Sequence, residues 1–237
     1  MKIRGSKRSN TYQIVTEESS SNNTHLRESL DLIHTFQLTK DLEEFVFFDV
    51  QVSKGTENLY ELVTAIKKNT VIHFDHHKDF EEVASRREIR PLALKEVKNS
   101  WYLIGLNEKG ELRNYGLDRM ENLKLSKQPF EKPKGLDLRT HYKHVFGIFN
   151  NPNSKVERVL LHFEPQRGHF LKAKPLHPSQ KVIVDTENGL TISIEVKINN
   201  ELISELLSFG NQISIIRPEK LKLKFQGLLK LMLERTK

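Results

Sequence analysis

The stretch from Arg87 to Leu125 reads REIRPLALKEVKNSWYLIGLNEKGELRNYGLDRMENLKL. Leu92 and Leu94 alternate with other residue types, and Trp101 to Leu106 is a dense aromatic and aliphatic run. Asn99-Ser100 marks one turn and Asn107-Glu108-Lys109-Gly110 a second, after which Leu112 to Leu117 returns. Alternation at period two, broken by turn residues, predicts three or four short strands joined as a meander. Side chains alternate across a strand, so Trp101 and Leu103 face one side and Tyr102 the other. Arg86, Arg87, Arg90, Arg113 and Arg119 sit close in sequence to Trp101, Tyr102 and Tyr115. Guanidinium groups beside aromatic rings suit an anion that carries a flat base, through charge, bidentate hydrogen bonds and stacking.

Working outward, Asn58 to Lys68 is the clearest amphipathic helix, with Leu59, Leu62, Val63 and Ile66 at helical spacing. Thr70 to His76 alternates and is beta-prone, a first strand followed by a polar hairpin loop to Ser85. Further upstream, residues 1–23 read as a flexible lead with a loose strand at Tyr12 to Val15. Residues 24–57 read as a helical linker that Thr24 caps, with Leu26, Leu30 and Ile33 apolar. Downstream, Asn122 to Ser126 predicts a closing strand, and Gln128 to Gly135, with Pro129 and Pro133, a linker. A short helix is expected between Leu138 and Gly147, and Asn150 to Ser154 is a sharp turn.

Beyond that turn the order reads strand, helix, strand, strand, helix, strand, helix. Val156 to Phe163 is beta-rich, Pro175 stops the next helix, and Asn188-Gly189 joins two strands. Asn199 or Asn200 caps a helix that Gly210 ends, and Pro218 opens the last one. This βαββαβ order is ferredoxin-like. The fold class is therefore α+β, and the expected domains are 58–127 and 155–237, joined by a linker over 128–154.

The 237 residues hold no cysteine, which excludes disulfides and cysteine-bound metal. No run approaches about 20 apolar residues, and the basic start lacks the apolar core of a secretion signal, so a cytoplasmic protein without a membrane span is expected. The net charge of +7 is uneven. Residues 1–61 carry 7 Lys+Arg against 10 Asp+Glu, and residues 155–237 carry 14 against 9. The basic half suits either a polyanion or ordinary solubility.

Three linked blocks carry a family resemblance: Arg87 with Pro91, the triplet Trp101-Tyr102-Leu103, and Leu117-Asp118-Arg119 followed by Met120. Together they resemble the WYL domain. Pro175 to Gln180 and Leu207 to Gly210 resemble the C-terminal extension of many WYL proteins, so the likeness covers residues 58–237. It implies a small SH3-like (Sm-like) barrel, a sensor module found mostly in bacterial transcription regulators that binds nucleic acid or nucleotide-like ligands. It also implies that Arg87, Arg113 and Arg119 line the ligand face. Many members carry a further arginine just before the Leu-Asp-Arg triplet, where this chain has Gly116, and Arg90 is positioned in sequence to supply that charge. Members usually begin with a winged helix-turn-helix, and residues 1–57 are too short and acidic for a full one. Duplex DNA is then reached through a missing N-terminal domain, or the chain acts on another protein.

The ligand-binding set expected from these readings is His73, Arg87, Arg90, Tyr102, Arg113, Tyr115 and Arg119. Trp101 as core, Tyr102 as a prop for a neighbouring strand, and Arg119 paired with Asp118 or Glu121 are the bland alternatives. His73, His76 and His77 are close, and His141 and His144 lie one helical turn apart, but no carboxylate cage or HExxH spacing accompanies them. No metal, cofactor or catalysis is expected, since no hydrolase elbow, Walker loop or dinucleotide fingerprint is present. The expectation is a sensor that binds single-stranded nucleic acid or a nucleotide and signals through the arrangement of a homodimer. The alternative is a protein-interaction module with no nucleic-acid ligand.

Overall fold

The computed structural model describes residues 2–6, 11–15, 54–78 and 83–236, and the chain divides into two compact units, 1–52 and 53–237. In the first unit β1 (Lys2–Ser6) pairs antiparallel with β2 (Thr11–Val15), Ile3 opposite Ile14. The strand at Tyr12 was expected and its partner was not. The helices expected between Thr24 and Phe48 lie outside the described residues.

The second unit opens on helix α1 (Leu59–Lys68), the amphipathic segment of the sequence. Its apolar stripe buries Leu62 and Ala65 completely, with Leu59 and Ile66 packed at the margin. Asn69 in the left-handed region ends it, and Lys67 and Lys68 sit at the negative end of its dipole.

Five strands follow: β3 (Thr70–His76), β4 (Ser85–Val97), β5 (Ser100–Leu106), β6 (Leu112–Gly116) and β7 (Met120–Pro129). They form one sheet in the order β6-β5-β4-β3-β7, antiparallel throughout. The β4–β5 turn is Lys98-Asn99, one residue earlier than expected. Both residues have positive φ, the geometry that fits the right-handed twist of the flanking strands. The turn at Asn107 to Gly110 falls where expected. Strand β7 runs on to Pro129, into the region expected as linker. Proline is tolerated because this is an edge strand.

The sheet is open, which corrects the closed barrel of the sequence reading. Edge strands β6 and β7 share no ladder. A 3-10 turn, Leu117–Arg119, fills the place where a closing ladder would start, and Leu117 is fully buried there. The sheet is nevertheless strongly curled. In a flat five-stranded sheet the outer strands lie roughly 19 Å apart, whereas the four backbone steps from Gly116 to Met120 reach at most about 15 Å. Bulges assist the curling, one between Pro91 and Ala93 and one at Asn122, whose φ is 51°.

Helix α2 (Leu138–Tyr142) is shorter than expected and leads into a segment that touches both sheets. The second sheet holds β8 (Val156–Phe163), β9 (Lys181–Thr186), β10 (Gly189–Lys197) and β11 (Ile213–Arg217) in the order β11-β8-β10-β9, all antiparallel. Helix α3 (Pro165–Ala173) follows β8, α4 (Asn200–Ser208) follows β10, and α5 (Glu219–Arg235) follows β11. The expected βαββαβ order is present. Val159, Leu161 and Phe163 alternate onto the buried face with Ile192, Ile194 and Val196. Leu202 and Leu206 of α4 and Leu221 and Phe225 of α5 cover that face. Asn199 caps α4, accepting from Leu202 N at 2.9 Å.

Backbone proximity at Gly105 ties β5 to β4. A Cβ there would lie 2.4 Å from Ile89 Cγ2 and 2.9 Å from the Arg90 carbonyl oxygen. Gly105→Ala is expected to lower unfolding stability by roughly 1–3 kcal/mol in urea titration, the usual cost of forcing atoms into a packed sheet. Gly227→Ala, within α5 and with nothing within 4 Å, should raise it by up to about 1 kcal/mol.

Candidate anion-binding site

The first sheet has two differently used faces. Cross-strand partners share a face, and register therefore sorts the arginines and aromatics. Ile72 pairs with Ile89, Phe74 with Arg87, and Leu103 with Tyr115. These residues, with Leu117 and Met120, lie on the face that α1 covers at one end. At the other end of that face the apolar floor meets charge.

There Tyr115 is 8% exposed, and its ring packs edge-on against Phe74 and His76, 5.3 Å centroid to centroid in each case. Burial raises the Tyr115 hydroxyl pKa, against the opposing pull of Arg87 and Arg113. His76 is 7% exposed, and its Nε2 has no hydrogen-bond partner among the described residues. Burial first, then the charges of Arg119 and Arg87, hold its imidazole below the usual histidine range. Arg119 reaches this place from the 3-10 turn, with Nε 3.7 Å from Asp118 Oδ1 and the Arg119 carbonyl accepting from His77 N. Asp118 and Arg119 fold over Gly116. A Cβ at Gly116 would lie 2.4 Å from Asp118 Oδ1 and 3.0 Å from Arg119 Nη2. The missing side chain at 116 is thus the seat of the arginine that follows it.

Of the seven expected residues, Arg87, Arg113 and Tyr115 share this face by register, and Arg119 flanks its end from the turn. Arg113 also pairs with Glu111 at 2.6 Å at the exposed rim. The other three lie on the opposite face. His73 sits across from Glu88 and contacts its carboxylate at 3.1 Å. Arg90 is opposite Leu106, and Tyr102 is opposite Lys95 and Gly116. As the alternation predicts, Trp101 and Leu103 belong to the core and Tyr102 turns away from it. His76 is the member that the sequence reading missed. Its signal was its place two residues beyond Phe74 on an alternating strand.

The opposite face grips the segment between the sheets. Lys95 donates to the Gly147 carbonyl and lies 4.7 Å from the Tyr142 ring centre. Burial lowers its pKa, partly countered by Glu201. Asn114 donates to the Ile148 carbonyl at 2.9 Å and accepts from the Tyr142 hydroxyl at 2.6 Å. Glu201 of α4 accepts from Ile148 N at 3.0 Å and from Phe149 N at 2.9 Å. Asn114 stands between Arg113 and Tyr115 in β6, so one strand serves both faces. His177, packed beneath Phe146, is driven down to about 4, mainly by burial and then by His144 and Lys95. It accepts from Ser179 N at 3.2 Å within its own turn.

Among the described residues no group of three or more acidic or imidazole side chains is placed to hold a metal, and no helix is long and apolar enough to cross a membrane.

Comparison with known proteins identifies two domains along the chain. The WYL domain model matches residues 57–125 and the WCX domain model residues 155–233, together more than half of the chain. No curated protein matches the sequence. Among solved structures, proteasome accessory factor B/C (PafBC) of Arthrobacter aurescens is similar at 21% identity and a TM-score of 0.36, over 84% of this chain and 30% of its own. The crystal structure of a CRISPR Cas-related protein is similar at 14% identity and a TM-score of 0.44, over 77% of this chain and 52% of that one. The chain thus spans about a third of the first and half of the second. With both domain models matched in order along its length, it belongs to the WYL-domain family, carrying a WYL domain followed by a WCX domain.

Proposed function

We propose that this protein is a ligand-sensing module of a transcription regulator, and that its WYL sheet binds single-stranded nucleic acid or a nucleotide-like anion. The observation that carries the reading is the gathering of Arg87, Arg113 and Arg119 at one end of the sheet, beside buried Tyr115 and His76. Guanidinium groups engage phosphate through paired hydrogen bonds and draw a polyanion by charge. WYL-domain regulators commonly bind nucleic acid and assemble as oligomers, which favours an anionic ligand and a homodimeric signalling form.

Strand β6 offers the route for a signal. An anion drawn in by Arg113 pulls on a strand whose Asn114 side chain is bonded to Tyr142 and Ile148, and Glu201 of the WCX domain holds Ile148 from the other side. Movement of β6 is thereby felt by α4. A second reading, protein interaction without a nucleic-acid ligand, is favoured by edge strand β9. Its Val182, Ile183 and Val184 are 49%, 43% and 46% exposed on an unpaired edge.

Fluorescence anisotropy with an unphosphorylated twelve-residue oligothymidylate, dT12, tests the first reading. Binding should weaken steeply with salt, and Arg87→Ala or Arg119→Ala should each weaken it by about tenfold or more. Each should also make the log–log salt slope shallower by about 0.7. Affinity that ignores both substitutions assigns the ligand elsewhere. Absence of binding at low salt, together with a stable dimer, favours the interaction reading. Asn114→Ala should leave dT12 affinity within about twofold. It should abolish any ligand-dependent change in hydrogen exchange over residues 142–149.

A further inference from the structure

Resting on the anion-binding reading above, we infer that His76 is the proton-linked third cation of the site, taking up a proton when Arg87 and Arg119 engage an anion. The observation behind it is an imidazole that the fold buries and leaves unsatisfied. His76 ends β3, pairs with Ser85 on one side and Met120 on the other, and is fixed edge-on by Phe74 and Tyr115. Its Nε2 finds no hydrogen-bond partner among the described residues, although a buried polar atom without one is costly. Nothing in the packing of a core strand calls for a histidine there. Phe74, two residues earlier on the same face, does the packing job with carbon alone.

The charged and titratable groups that face His76 come from each neighbouring element. Arg87 comes from β4, Tyr115 from β6, Asp118 and Arg119 from the 3-10 turn, and His77 from the end of its own strand. Among the described residues, the two guanidinium groups oppose a positive imidazole more than the one carboxylate favours it. In such a place the imidazole stays neutral, because a further positive charge would be both desolvated and repelled. A phosphodiester between Arg87 and Arg119 offsets that field. The repulsion is offset, so the charged imidazole costs less than it does without the anion, and a proton is taken up more readily.

The sign of the linkage follows. The His76 pKa is higher with anion bound than without. The extra binding is fully present below the free-state pKa and fades as pH rises through the bound-state pKa. One proton can change affinity by at most about tenfold per pH unit between those two values. The carboxylate-paired imidazoles, His73 beside Glu88 and His77 beside Glu121, lack this arrangement. Each is already offered a counter-charge without ligand.

The experiment uses dT12 on the full chain, because neither thymine nor an internal phosphodiester titrates between pH 5.5 and 8. Calorimetric titration in two buffers of different ionisation enthalpy should show net proton uptake near pH 6.5. Affinity should rise several-fold from pH 7.5 to 5.5, and the His76 ring resonance should titrate at higher pH with dT12 than without it. His76→Gln should remove the pH dependence that exceeds the protein's general charge. The ring resonance reports on the wild-type chain, so it still decides the matter where that variant folds poorly. Arg87-dependent binding with no shift of the His76 resonance, or a pH dependence that survives in His76→Gln, overturns the inference and leaves the site intact. Binding that is absent at every pH, or indifferent to Arg87→Ala, overturns the site and the inference together.

Discussion

Gly116 ends one edge strand of a five-stranded sheet, Met120 begins the other, and only Leu117–Arg119 lies between them. Most of the WYL domain's geometry depends on that short tether. It obliges the sheet to curl, and the curl gathers the ends of β3, β4 and β6 around one turn. Fully buried Leu117 anchors the tether, and apolar burial of roughly 1.5–3 kcal/mol for each such side chain holds the curl. Asp118 and Arg119 are thereby delivered to the same place as Arg87, Tyr115 and His76.

The two faces of this sheet divide the labour. One holds an apolar core and, at its end, a positive rim above buried rings. The other holds the inter-sheet segment through Lys95 and Asn114, and α4 grips the same segment through Glu201 and Asn199. Asn199 both caps its helix and donates to the Phe146 carbonyl, so the start of α4 and the segment are fixed by one side chain. Alternation along β6 is the simplest means by which a fold can join a surface that senses to a surface that holds.

Where local pattern decides structure, the sequence was a reliable guide. Thr70 to His76 and Val156 to Phe163 are strands over the expected bounds, because alternation and β-branched content agree there. The turn at Lys98-Asn99 was displaced by one residue, since asparagine tolerates either position of a turn. The partition of the site was harder to read. Period two, counted from Arg87, puts Lys95 on the arginine's face, but the bulge between Pro91 and Ala93 switches the parity and sends Lys95 to the opposite side. Proximity in sequence likewise grouped His73, Arg90 and Tyr102 with arginines that point the other way. His76 was visible only as one of three nearby histidines. Its burial depends on Tyr115, thirty-nine residues later and across three strands.

The empty position at Gly116 has an evolutionary reading. Its space is filled by the flexible ends of Asp118 and Arg119, not by backbone. A side chain introduced there would meet little steric resistance, but it would evict Arg119 from its seat. The position and the arginine three residues on are therefore epistatic. A mutation to arginine at 116 would relocate a guanidinium before it added one.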